Sequence, residues 1–328
     1  MSVFMRLFLA AAIFLLSSSH LLAQQSLQFG VISTGKVEDT KATWEPFFSD
    51  MSRATGLKIQ GVYPAKYSEV VDAIKADKVQ FAWLSNKAAL DAVEKANAEV
   101  FAQMVGSDGA QGYRSIVVSD RADKGNKVPD LDALLGKHKT LRFAMGEASS
   151  TSGYLIPMYA LFGPRNIKPE THFAKFQSGK HADNLAALLK GDVDATVYNS
   201  EELDKLKMRE PAAAARLRTV WESTLIPKDP LVWRRELPLS VKTKVAEFVL
   251  AYGKTPSEKQ ILRNMFDLAG FKKSSNAQLR PLLEIEDFKE KLALVLDNKM
   301  TEAQKTTHMN DIKERFHRLS AQLGAEAK

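Results

Sequence analysis

Tyr67-Ser-Glu-Val-Val-Asp-Ala-Ile-Lys-Ala-Asp-Lys-Val-Gln-Phe-Ala-Trp-Leu-Ser-Asn86 lies against His181-Ala-Asp-Asn-Leu-Ala-Ala-Leu-Leu-Lys-Gly-Asp-Val-Asp-Ala-Thr-Val-Tyr-Asn-Ser200 at one constant offset and without a gap. Few residues are identical, but the pattern is shared. A polar residue opens a short helix, a tight turn follows, then a short apolar strand, then a polar corner. Any two helix–turn–strand units look somewhat alike, so one match alone is weak. Its setting decides more, because each copy sits inside a succession of alternating strands and helices.

Outward from the first copy, strands are expected from Leu27 to Ile32, Leu57 to Tyr63, Val79 to Trp83, Val100 to Val105 and Tyr113 to Ser119. Helices are expected from Thr43 to Ser52, Tyr67 to Lys75 and Asn86 to Asn97. The first of these carries Trp44, Phe47, Phe48 and Met51 at i, i+3, i+4, i+7 spacing. Around the second copy, strands are expected at Leu141 to Met145, His172 to Phe176, Val193 to Val197 and Leu217 to Trp221. Helices there run over Leu131 to Leu135, Ser152 to Phe162, Ala182 to Lys190 and Glu201 to Met208. From Leu239 onward the chain reads as mostly helical. The whole is an α/β protein of two similar lobes with mainly parallel sheets. Ligands of open α/β sheets bind beyond the carboxyl ends of the strands. Tyr67, Leu84 and Ser85 then face His181, Tyr198 and Asn199 across a cleft.

The stretch Glu147-Ala-Ser-Ser-Thr-Ser-Gly-Tyr154 falls where a strand turns into a helix. Free backbone N–H groups and the positive end of the helix dipole point out of such a corner. Ser149 or Ser150 either caps the helix or, with Thr151 and Ser152, helps to hold an oxyanion.

Composition narrows the chemistry. The chain has 328 residues, 45% hydrophobic and 26% charged, enough for two lobes with cores. There is no cysteine, which excludes disulfides, thiolate metal sites and cysteine nucleophiles. The formal charge of +7 favours anionic partners. Lys and Arg are interleaved with Asp and Glu, however, so no nucleic-acid binding is expected. Arg6, the apolar run Leu7 to Leu16 and Leu21-Leu22-Ala23 match a secretory signal peptide cleaved after Ala23. With no cysteine to acylate, the mature chain is expected to be exported, and not as a lipoprotein.

Other motifs carry less. Gly30-Val-Ile-Ser-Thr-Gly35-Lys36 matches most of a P-loop but has Val37 where Ser or Thr would bind magnesium. Ser33 and Thr34 still end the first strand at the cleft. The histidines show no paired metal spacing, and no cofactor or metal is expected. His181 either starts a solvent-facing helix or lines the cleft. No base is placed beside a Ser or Thr nucleophile. Asp192 reads as a turn residue. Asp194 alternates with apolar neighbours, so it needs a partner or a cleft. In the tail, Met309, Ile312, Phe316, Leu319 and Leu323 form a narrow apolar seam, which packs on the body or pairs with a second chain.

Phe29-Gly-Val-Ile-Ser-Thr34, Phe101-Ala-Gln103, Ser150-Thr-Ser-Gly153, Glu202-Leu-Asp-Lys-Leu-Lys207, Leu225-Ile-Pro-Lys-Asp-Pro230 with Trp233-Arg234, and Tyr252-Gly-Lys-Thr-Pro256 occur in one order from Leu27 to Pro256. In these residues the chain resembles the periplasmic phosphonate-binding proteins of bacterial ABC importers, within the phosphate, phosphite and phosphonate binding-protein class. The resemblance implies a type II periplasmic binding fold, with two α/β lobes joined by two crossing strands and a helical C-terminal tail. On it, residues 24–115 begin lobe one, 116–220 form lobe two, 221–270 return to lobe one, and 271–328 form the helical extension.

The resemblance also implies a binding protein rather than an enzyme, handing a phosphonate to a membrane permease. Other ligands in view are phosphite, phosphate and methylphosphonate, and a sensing rather than uptake role is the other reading. Ser150, Thr151 and Ser152 are expected to hold the phosphonate, with Tyr67, Ser33, Thr34 and Ser85 completing the cage. Asp194 corresponds to the family acid that ends a lobe-two strand. Two departures stand out. Leu84 takes the place of a ligand-facing tyrosine, and His181 the place of a glutamate that pairs with a substrate amine, with Asp183 nearby. Loss of one of two acids is expected to weaken the preference for aminoalkyl phosphonates. Tyr198 is expected to supply the missing phenol.

Overall fold

Residues 26–324 are described by the computed structural model, apart from Gln111, Lys137, Leu296 and Asn298. The expected signal peptide lies outside them. In chain order the strands are β1 (Leu27–Val31), β2 (Ile59–Val62), β3 (Phe81–Trp83), β4 (Ala98–Gly106), β5 (Gly112–Tyr113), β6 (Ser115–Asp120) and β7 (Arg142–Met145). There follow β8 (Lys175–Ser178), β9 (Ala195–Asn199), β10 (Leu217–Glu222), β11 (Ile226–Pro227), β12 (Pro230–Arg234) and β13 (Leu268–Lys273).

Two sheets organise these strands. The first has the order β13-β4-β12-β3-β1-β2, the second β10-β6-β9-β7-β8. β1 runs parallel to β2 and β3, and β7 runs parallel to β8 and β9. The remaining pairings within both sheets are antiparallel. The sheets are therefore mixed, not mainly parallel. In the second sheet the difference comes from β6, antiparallel to both β9 and β10, and in the first from β12 and β13, which the local pattern does not announce. β12 starts at Pro230, a position where a strand tolerates proline, and β13 carries a register shift between Leu268 and Gly270.

Two passages join the lobes, and there β5 and β11 pair with each other, Tyr113 opposite Ile226 and Gly112 opposite Pro227. Only glycine fits at position 112, where a Cβ would lie 2.0 Å from the Ile226 carbonyl oxygen. The offset pattern of the sequence is a structural repeat. Asp77 and Gly191 both take left-handed turns, with φ of 64° and 83°. Ser85 Oγ accepts from Ala88 N at 3.2 Å, and Asn199 Oδ1 accepts from Glu202 N at 2.8 Å, so matching residues cap matching helices.

The core of the first lobe is aromatic. Phe29, Trp44, Phe47, Phe48 and Phe81 are all buried and in mutual ring contact. Each such side chain contributes on the order of 2 kcal/mol on burial. The second lobe centres on Phe143, Phe162 and Phe173. The helices Arg280–Val295 and Glu302–Gly324 pack on the first lobe, with Leu319 and Leu323 inside its core. Arg315 ties them down, bonding Glu94 and Glu290 at 2.8 Å. The end of the seam, Phe316, Leu319 and Leu323, is thus turned onto the body, while Met309 and Ile312 stay half-buried.

Candidate functional site

The carboxyl ends of β3 and β9 meet the starts of four helices where the lobes face each other. These are the helices beginning at Tyr67, Asn86, His181 and Ser200. The lobes are shut, and the cavity between them is about 20 Å³, room for about one water. Thr34 Oγ1 donates to Glu202 Oε1 at 2.8 Å, and Ala182 N donates to the Thr34 carbonyl at 3.1 Å. Lys87 N donates to Thr151 Oγ1 at 2.8 Å, Ser85 Oγ to the Ser149 carbonyl at 2.9 Å, and Tyr67 N to Glu147 Oε2 at 3.1 Å.

One wall is the serine–threonine corner. After β7 the chain turns at Gly146 and opens a wide helical turn, in which Leu155 N donates to the Ser150 carbonyl at 3.1 Å. Ser150 Oγ accepts from Gly153 N at 3.0 Å, so Ser150 is a helix cap. Gly153 is required there, since a Cβ on it would lie 2.8 Å from the Gly146 Cα. Ser152 Oγ sits 3.3 Å from His181 Nε2. His181 is buried, and burial pulls its imidazole below the ordinary value against the upward pull of Glu202. The neutral ring is thus favoured near neutral pH. Backbone N–H groups, hydroxyls and a helix start converge here, an arrangement suited to an anion.

The opposite wall is acidic. Asp229 Oδ1 accepts from Tyr113 OH and from Asn86 Nδ2, both at 3.1 Å. Burial raises this carboxyl well above the usual range, and the neighbouring Glu201 charge adds to the rise. Glu201 is raised by burial too, although Lys228 bonded to it pulls the other way. At Glu202 burial also pushes upward, but Lys205 and the Thr34 hydroxyl outweigh it and the carboxyl is lowered. Tyr67 and Tyr113 are buried beside these acids, and their phenols are raised far above the usual value, chiefly by burial. An acidic pocket with phenol and carboxylate oxygens suits a cation that brings its own hydrogens.

Of the residues singled out from sequence, Thr34, Tyr67, Ser85, Ser150, Ser152 and His181 line the cavity. Thr151 and Ser33 are buried alongside without lining it. Asp194 is elsewhere. It precedes β9 at the end remote from Asn199 and is clasped by Arg142 and Lys127, each at 2.8 Å. Burial pushes its carboxyl up, but those partners win and hold it at about 2. It is a structural ion pair, not a cleft residue. Tyr198 also moves out of the cavity. Its ring meets His181 edge to face at 5.7 Å and lines an outer groove with Trp83 and Phe266. Tyr113, not Tyr198, lines the cavity beside Tyr67. The acids that sequence reasoning missed are Glu201 and Asp229, which line the cavity. Asp229 had a signal, lying inside the Leu225 to Pro230 motif. Glu201 had none, as an acid in a first helical turn is ordinary.

The family described as ABC transporter, phosphonate, periplasmic substrate-binding protein matches residues 29–279. The chain is 36% identical over 299 residues to the phosphonates-binding periplasmic protein of Escherichia coli (strain K12), covering 91% of this chain and 87% of that one. It is similar to the crystal structure of a binding protein component of an ABC phosphonate transporter from Pseudomonas aeruginosa, with a TM-score of 0.85 and 33% identity over 92% of this chain and 98% of that one. The structure of PhnD1 from Prochlorococcus marinus in complex with methylphosphonate shares the fold, with a TM-score of 0.69 at 22% identity over 79% of this chain and 96% of that one.

Proposed function

The chain belongs to the periplasmic substrate-binding proteins of phosphonate ABC transporters, with the type II binding fold, and on that premise we propose that it captures an aminoalkyl phosphonate between its lobes. The phosphonate oxygens sit against Ser150, Ser152 and the adjoining backbone N–H groups, with Thr151 holding the corner to Lys87. The ammonium sits between Glu201 and Asp229, beside Tyr67 and Tyr113. The lobes open and close about the two passages at Gly112–Tyr113 and Ile226–Pro227, and the closed form is handed to a membrane permease. The protein works in the periplasm as a carrier rather than a catalyst, consistent with its family.

The observation that carries the reading is the polarity of the cavity. An anion-favouring helix corner stands on one wall and a pair of buried acids with raised carboxyls on the other. A zwitterion with phosphonate and ammonium a few bonds apart satisfies both walls at once. A bare phosphate or methylphosphonate leaves the acids without a cation. Native mass spectrometry of the ligand-free protein with an equimolar mixture of 2-aminoethylphosphonate, methylphosphonate and phosphate tests this. One bound aminoethylphosphonate per chain is expected, and even occupancy by all three would refute amine recognition.

A further inference from the structure

Three carboxylates and two lysines meet at the acidic wall. Glu202 has Lys205 at 3.6 Å, and Glu201 has Lys228. Asp229 accepts from neutral Asn86 and Tyr113 and has no cation of its own among the described residues. Two of the three acids thus have a lysine of their own, and Asp229, its carboxyl raised by burial, is left for a ligand ammonium to pair with in its ionised form.

Lys228 is fixed for this task. Its carbonyl accepts from Gln103 Nε2 at 2.9 Å and from Gln278 Nε2 at 3.4 Å, which pins its backbone. Its side chain runs past Gly106 and is only 7% exposed. Glu201 is its one bonded partner, and Lys228 is the one side chain bonded to Glu201 among the described residues. That bond uses Oε1 and leaves the second oxygen of a cavity-lining carboxylate without a hydrogen-bond partner among the described residues.

We propose that Lys228 is a positioning residue for ligand recognition, holding Glu201 by one oxygen as a carboxylate that receives the ligand's ammonium. The inference rests on the amine reading above. Without Lys228, Glu201 is left with Glu202 and Asp229 as like charges, the Tyr113 phenol beside it, and Lys205 already committed to Glu202. A buried carboxylate in that company takes up a proton. A protonated Glu201 no longer pairs with an ammonium.

The test is calorimetric titration of wild type, Lys228→Met and Lys228→Arg with 2-aminoethylphosphonate and with methylphosphonate, at about pH 6.5 and about pH 9. Met keeps the aliphatic stem, and methylphosphonate binding reports that the fold and the oxyanion wall are intact. The Met variant is expected to bind the amine about tenfold or more weakly at the lower pH and to recover at the higher, where Glu201 ionises. Its methylphosphonate affinity stays within about threefold, and the Arg variant keeps both affinities. A Met variant that binds the amine as tightly as wild type at the lower pH, or more tightly because a competing internal ammonium has gone, overturns the proposal alone. Wild type that binds methylphosphonate as tightly as the amine overturns the amine reading itself.

Discussion

Thr34 Oγ1 donates to Glu202 Oε1 at 2.8 Å, joining the loop after β1 in one lobe to a helix start in the other. The bond spans the two lobes, so parting them breaks it. It therefore acts on the open–closed equilibrium. Ligand affinity scales with the population of the competent state.

Thr34→Val keeps the shape and removes the donor. A hydrogen bond to a charged acceptor contributes about 1.5–3 kcal/mol, so affinity is expected to fall roughly tenfold or more. The loss should be equal for aminoethylphosphonate and methylphosphonate, since the closed state and not the ligand contact is weakened. Titration with both checks this, and a loss confined to one ligand would contradict it.

Glu201→Gln and Asp229→Asn test the acidic wall. Each is expected to weaken 2-aminoethylphosphonate by about 10- to 100-fold, the scale of a charge-assisted hydrogen bond. Methylphosphonate should change much less, and calorimetry on both ligands separates the two outcomes.

Asp194 gives the opposite pattern. Its carboxyl is held at about 2 in the fold by Arg142 and Lys127, despite burial. A folded value depressed below the unfolded one, about 3.9, stabilises above that pH. The stabilisation is lost as pH falls from about 4 to about 2. Asp194→Asn should cost about 1–2 kcal/mol at neutral pH after screening by solvent, seen as a lowered Tm. The difference between variant and wild type should shrink in acid. Ligand affinity should stay within about twofold, because the residue lies at the far end of β9.

The tail predicts a single chain in solution. Leu319 and Leu323 lie in the first lobe's core, and Arg315 bonds Glu94 and Glu290. Light scattering should give the mass of one chain. Leu319→Asp should lower the Tm, and burying an unpaired charge accounts for the loss. A dimer that this substitution splits into stable monomers would contradict the packing.

The two-lobe plan was legible because the signals that define it are local. A left-handed turn at Asp77 and at Gly191, and a cap at Ser85 and at Asn199, recur at one offset and need no tertiary information. Strands β12 and β13 were not legible, since their pairing with β4 spans long stretches of chain and one of them is bulged. The misplacement of Asp194 has a simple origin. The resemblance places it at the end of a lobe-two strand. On the expected strand Val193 to Val197 and on the observed one, Ala195–Asn199, alike, it stands at the amino end. The carboxyl end at Asn199 is the one that reaches the cavity. The serine–threonine corner was found because hydroxyls at a strand–helix turn are a local pattern. The acid pair was not, because Glu201 and Asp229 come together only when β9 and the passage before β12 meet at the cleft.

The most direct measurement is calorimetric titration of the ligand-free protein with 2-aminoethylphosphonate, methylphosphonate, phosphite and phosphate under one set of conditions. The structure predicts tightest binding of the aminoethyl compound, by about tenfold or more over methylphosphonate, because only its ammonium satisfies Glu201 and Asp229. Equal or tighter binding of methylphosphonate, phosphite or phosphate would contradict the account.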